Sequence, residues 1–251
     1  MVSADQQRSR VIERLAEWGE PAAVLAPGVV QCLRSPDLPH RKSAVAICAN
    51  LETELACIKG EVIDVARHRD AGHGFREAIE ALMLVSPEDP PLVKEVFESD
   101  DVSLRGGLVA AINALPQAWQ VRRFKEELIR VVKSEGEAST RSLSAAGLRR
   151  IAAGDDEIIA VLRQCLERDY DRLVRMECLD VIVSRGDPAV VIDACREALG
   201  DGDSTLRYYA AEALSRLARE DTRARTALER VAATGKEPGA TIAKLKLAQS
   251  K

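Results

Sequence analysis

The chain has 251 residues, of which 46% are hydrophobic, 30% charged and only 3% aromatic, with a net charge of −4. That balance excludes a disordered chain and a membrane-embedded one, and it leaves Ala, Leu, Val and Ile to build the core. Net acidity gives no overall attraction to nucleic acid or anionic lipid.

The stretch from Asp5 to Trp18 reads as a polar N-terminal cap helix. It carries Arg8, Arg10, Glu13 and Arg14 and no apolar run, so it suits neither a secretory leader nor a membrane span. The longest uncharged stretch, Gly106 to Val121, is too short for a bilayer and is interrupted by Asn113, Pro116 and Gln117. A cytoplasmic chain is expected. The cysteines, Cys32, Cys48, Cys57, Cys165, Cys178 and Cys195, have no metal-knuckle spacing. Cys48 and Cys178 fall in the apolar phase of predicted helices, so reduced thiols that pack as small hydrophobes are expected.

From residue 37 onward one pattern recurs. An acidic residue precedes an arginine, which opens a run of apolar residues: Asp37 with Arg41, Asp70 with Arg76, Asp101 with Arg105, Glu137 with Arg141, Asp171 with Arg175 and Asp203 with Arg207. Successive arginines stand 29 to 36 residues apart. In all but the second repeat the acid stands four residues before the arginine; there Gly72 and Gly74 lengthen the turn. Three and seven residues after each arginine the chain is almost always apolar, the phase of an amphipathic helix. Further helices lie between, at Val93 to Phe97, Phe124 to Val132, Ile158 to Leu166, Val190 to Leu199 and Ala224 to Val231. Pro238 to Gln249 predicts a last, capping helix. Ser35-Pro36-Asp37, Gly154-Asp155, Gly186-Asp187-Pro188 and Gly200 to Asp203 mark turns, and no alternating strand pattern occurs.

Each repeat is thus two helices, which cannot bury an apolar face alone but can share a continuous core when stacked. The acid suits a helix N-cap, and an arginine one turn later can reach an acid of the next repeat. Arg41, Arg76, Arg105, Arg141, Arg175 and Arg207 are therefore expected to form a structural ladder along the inter-repeat turns.

Asp-Xaa-Xaa-Xaa-Arg followed by Ala and Leu at helical spacing, clearest in Asp203 to Leu214, resembles the HEAT-repeat family in its short bacterial form. The resemblance runs from about Pro21 to the terminal helix. It implies an all-α, right-handed α-solenoid of about six short helix-pair repeats forming one domain over 1–251, with an N-terminal cap at 1–20, repeats over 21–234 and a capping helix over 235–251.

Little in the sequence points to chemistry. The only histidines, His40, His68 and His73, sit near turns of the first two repeats, where solvated polar side chains are usual; with Asp64 and Asp70 they form a conceivable metal site. There is no His-Glu dipeptide of the kind that repeats in HEAT-like di-iron hydroxylases, no nucleophile elbow, no Walker loop and no dinucleotide fingerprint. Gly106-Gly107 inside a helix suits close packing. The fourth repeat is locally basic, with Arg122, Arg123, Lys125, Arg130, Lys133, Arg141, Arg149 and Arg150, but the preceding repeat is acidic, so nucleic acid is not the expected partner.

Positions one, two, five and eight after each arginine should face the groove of the solenoid. They include Ala81, Leu84, Arg149, Met176, Glu177, Asp180, Tyr208, Tyr209 and Glu212. Met176, Tyr208 and Tyr209 offer large contact area at modest entropy cost, or else the tyrosines cover the junction with the last helices. The expected function is a non-catalytic protein–protein interaction module, an adaptor, regulator or inhibitor, with no cofactor, metal or membrane. An enzyme-associated role is the alternative, since short repeats of this kind are also similar to those of bilin lyase subunits and HEAT-like DNA glycosylases.

Overall fold

The computed structural model describes residues 22–67, 74–86, 91–234 and 239–249. The expected cap helix at 5–18, His68, His73 and Asp70 lie outside them. All regular structure among the described residues is helical. None of these helices is long and apolar enough to cross a membrane. The chain forms two compact units, 1–124 and 125–251.

The first unit contains α1 (Ala22–Leu33), α2 (Leu38–Leu51), a 3-10 segment (Glu52–Ile58), α3 (Lys59–Arg67), α4 (Phe75–Val85), α5 (Pro91–Phe97), α6 (Val102–Ala114) and the short α7 (Ala118–Arg122). Gly74 caps α4 at φ 96°, a left-handed conformation that L side chains rarely adopt, which explains a glycine in the one lengthened turn. Ala81 and Leu84, placed by their spacing on an open face, are buried instead. The reason is local: α4 touches α2, α3, α6 and the 3-10 segment, so little of its surface is left for solvent. A Cβ on Gly107 of α6 would approach the Phe75 ring to 3.1 Å, so glycine lets α4 and α6 pack closely.

The second unit is more regular. Four helix pairs follow one another: α8 (Lys125–Ser134) with α9 (Ala138–Arg149), α10 (Asp156–Arg168) with α11 (Arg172–Arg185), α12 (Pro188–Ala198) with α13 (Ser204–Leu217), and α14 (Thr222–Thr234) with α15 (Gly239–Gln249). First helices touch first helices, α8 to α10 to α12 to α14, and second helices touch second helices, α9 to α11 to α13 to α15. Between these two layers lies a core of small and branched side chains, among them Leu128, Leu148, Leu162, Cys178, Ile182, Ala210 and Leu214, all essentially inaccessible. Aspartates start the helices. Asp155, Asp171, Asp187 and Asp203 each accept backbone N–H bonds from the first turn of the helix that follows, satisfying amides with no partner inside it.

Candidate functional site

The recurring arginine has two jobs, visible atom by atom. Its first is to close its own turn: Arg41, Arg105, Arg141, Arg175 and Arg207 each donate from Nη1 to the carbonyl oxygen six residues earlier, that of Ser35, Ser99, Glu135, Asp169 and Asp201. The side chain at that same earlier position accepts from the backbone N–H two residues on, as in Ser35 to Asp37 at 3.1 Å, Ser99 to Asp101 at 3.0 Å and Asp201 to Asp203 at 2.7 Å. Each turn is thus locked by an acceptor side chain and an arginine.

The second job is to reach the following repeat. Arg141 Nε and Nη2 donate to the two oxygens of Asp169 at 2.7 and 2.8 Å, and Arg175 repeats the arrangement on Asp201 at 3.1 and 3.1 Å. Fork-to-fork pairing of this kind fixes orientation as well as charge. The acid reached is not the capping aspartate but the residue two before it, so one acid serves the helix and another the neighbour. Burial works against the charge of Asp169, but the hydrogen bonds from Arg141 and the Asp171 amide hold its carboxyl below the usual aspartate range.

The first unit departs from this pattern. Arg41 reaches Glu77 at 3.0 Å, a residue inside α4. Arg76 itself is exposed, so it does not take the buried place that Arg41 and Arg141 occupy. In sequence, Arg76 stands six residues after its acid, Asp70, rather than four. His40 is also unlike a solvated turn residue: it is buried in the first turn of α2, with Nδ1 3.0 Å from Ser35 Oγ. Among the described residues no His, Cys, Asp and Glu group is arranged to hold a metal.

On the exposed side of the second helices in the second unit, the predicted groove residues are linked to one another. Arg149 on α9 contacts both Glu177 and Asp180 on α11, and Asp180 accepts from the Tyr209 hydroxyl on α13. Glu212, also on α13, pairs with Lys246 on α15. Burial first, then Asp180, pushes the Tyr209 phenol up to about 12. Tyr209 is therefore a strut between repeats. Tyr208 is 52% exposed, with Lys246 Nζ 4.8 Å above its ring and 3.3 Å from its hydroxyl. The tyrosine pair thus divides, one holding the junction between repeats and the other leaving half its surface to solvent; Met176 on α11 is half-buried.

Of the basic residues in the fourth repeat, Arg141 and Arg149 are engaged as described, and Lys125 pairs with Asp155 and Glu157 at 2.9 and 2.7 Å. Lys246 and Tyr170 were not legible as site residues, because neither occupies the arginine-counted positions. Nor were the acceptors Glu135, Asp169 and Asp201 singled out, although the signal for them stands two residues before each cap, in Glu135-Gly-Glu137, Asp169-Tyr-Asp171 and Asp201-Gly-Asp203.

Residues 159–245 match the family model for HEAT repeats. No curated protein sequence matches the chain. Among solved structures, a designed armadillo repeat protein in complex with the peptide (KR)4 is similar to it, at 16% sequence identity and a TM-score of 0.46, covering 90% of this chain and 99% of that one. HEAT-like repeats typically mediate protein–protein interaction, because stacking leaves an extended surface lined by equivalent positions. The repeated acid and arginine and the stacked helix pairs of the second unit accord with the HEAT repeats that the family model matches over residues 159–245.

Proposed function

We propose that the exposed face of α9, α11 and α13 is a docking surface for another protein, and that the chain acts in the cytoplasm as a non-catalytic adaptor, regulator or inhibitor. One observation carries this reading. Tyr208 presents half of its surface to solvent while Lys246 holds its ring, and the charges of the same helices are already paired, Arg149 with Glu177 and Asp180, and Glu212 with Lys246. A held aromatic side chain in a pre-ordered polar surround loses little entropy on binding and suits a protein contact. Buried thiols at Cys48, Cys178 and Cys195 support a reducing setting.

Affinity capture from a native lysate with the wild-type chain and with Tyr208→Ala and Met176→Ala as baits tests it. A protein retained by the wild type and lost from the variants, whose melting temperatures stay the same, is expected. Equal capture by all three baits overturns the assignment of this face. Retention of nucleic acid, with a steep loss on raising salt, overturns the protein partner itself.

A further inference from the structure

A second place in the second unit, apart from the face formed by α9, α11 and α13, opens to solvent as a slot. Between the C-terminal halves of the first helices α8 and α10 lies a slot of about 640 Å³, within the range of binding sites for sizeable ligands. Its apolar lining is Val132, Val161 and Cys165, each buried against the core. At its edge stands Tyr170, 79% exposed yet pinned, for its hydroxyl donates to the Gly136 carbonyl at 3.3 Å and the Arg141 guanidinium lies 4.8 Å from its ring.

The charges of the slot are asymmetric. Its two acids are spent inside the protein: Glu135 is buried and accepts from the Glu137 amide, and Asp169 is held by Arg141. The charges left to solvent are Lys133 on α8 and Arg168 on α10, both exposed. Arg168 has only a loose pairing with its neighbour Glu167 at 3.8 Å, and no ion pair of Lys133 occurs among the described residues. A slot lined by apolar side chains and by exposed cations on two separate helices, with a held aromatic ring at its edge, is complementary to carboxylates flanking an apolar side chain.

We infer that the slot between α8 and α10 binds an acidic peptide segment in which an apolar side chain stands between carboxylates. The apolar side chain lies over Val132, Val161 and Cys165 against Tyr170, and the carboxylates face Lys133 and Arg168. A peptide supplies two carboxylates on one backbone, which matches cations on two helices better than a single free acid does.

The test uses the full chain and three probes followed by backbone-amide NMR: acetyl-Glu-Leu-Asp-Phe-Glu-amide, its counterpart with Gln and Asn in place of the acids, and phenylacetate as a free acid. The acidic peptide should bind saturably, with shifts centred on α8, α10 and the turn at 134–137, and more weakly as salt rises. Lys133→Glu with Arg168→Glu, both on exposed side chains, should weaken it by about tenfold or more, and Tyr170→Ala by a similar factor. Tyr208→Ala should leave it unchanged, so that failure of the docking face and failure of the slot are told apart. Absence of saturable binding, equal binding of the amide counterpart, binding of phenylacetate but not the peptide, or indifference to the charge-reversing pair would each overturn the inference. The probe comparison alters no residue of the protein, so it decides the matter even if a variant misfolds.

Discussion

Arg141 grips Asp169 with two parallel N–H bonds, at 2.7 and 2.8 Å, while its remaining terminal nitrogen closes the turn of its own repeat onto the Glu135 and Gly136 carbonyls. One side chain therefore shapes a turn and ties it to the next. Both partners are buried, with side chains 4% and 7% exposed, so their pairing is shielded from water and salt in a way a surface pair is not.

Removing Arg141 should accordingly hurt more than removing Arg175, whose pair with Asp201 is more open. Arg141→Ala leaves a buried carboxylate without its countercharge and should cost about 3–5 kcal/mol. Arg175→Ala should cost about 1–3 kcal/mol. Denaturant unfolding of the two variants checks the order; equal losses would mean that the turn bonds to backbone carbonyls, common to both, dominate.

Acid should act through the same pair. The Asp169 carboxyl is held below its ordinary value of 3.8, so its contribution is present above that value and is lost as pH falls from there through the lower folded value. Asp169→Asn should be less stable at neutral pH by about 1–3 kcal/mol and should lose less stability than the wild type on acidification below 3.8. Parallel acid-unfolding curves would show that Asp169 does not carry this dependence.

Tyr209 gives the opposite sign. Its phenol is raised from 10.0 to about 12 by burial and by Asp180, so the neutral form is favoured in the folded chain. That stabilisation is complete below pH 10 and disappears as pH rises towards 12. Phenolate absorbance should show a late ionisation step near 12 that Tyr209→Phe removes and Asp180→Asn shifts downward.

Thiol reactivity should separate the cysteines by depth. Cys57 is exposed, whereas burial pushes Cys48 and Cys195 up to about 12 and leaves almost no thiolate at neutral pH. A thiol reagent should modify Cys57 promptly and the others only on unfolding, with six thiols counted in denaturant and a melting temperature independent of reductant. A native disulfide found by mass spectrometry would overturn the reducing setting.

The order and kind of the helices were written locally. A capping acid, an arginine four residues later and apolar residues at helical spacing need only neighbours along the chain, so the helix pairs of the second unit were legible. What the arginines touch was not. The acid facing Arg141 lies 28 residues away, and its identity depends on how far one repeat slides along the next. The same reason separates Tyr208 from Tyr209: adjacent in sequence, they diverge because neighbouring helices offer Asp180 to one and Lys246 to the other. In the first unit, α2, α3, α6 and a 3-10 segment all pack on α4, and Ala81 and Leu84 are buried there, which no spacing rule could reveal. Local periodicity specified which face of each helix is apolar; only packing between repeats decided which polar residues are used up as struts and which remain for a partner.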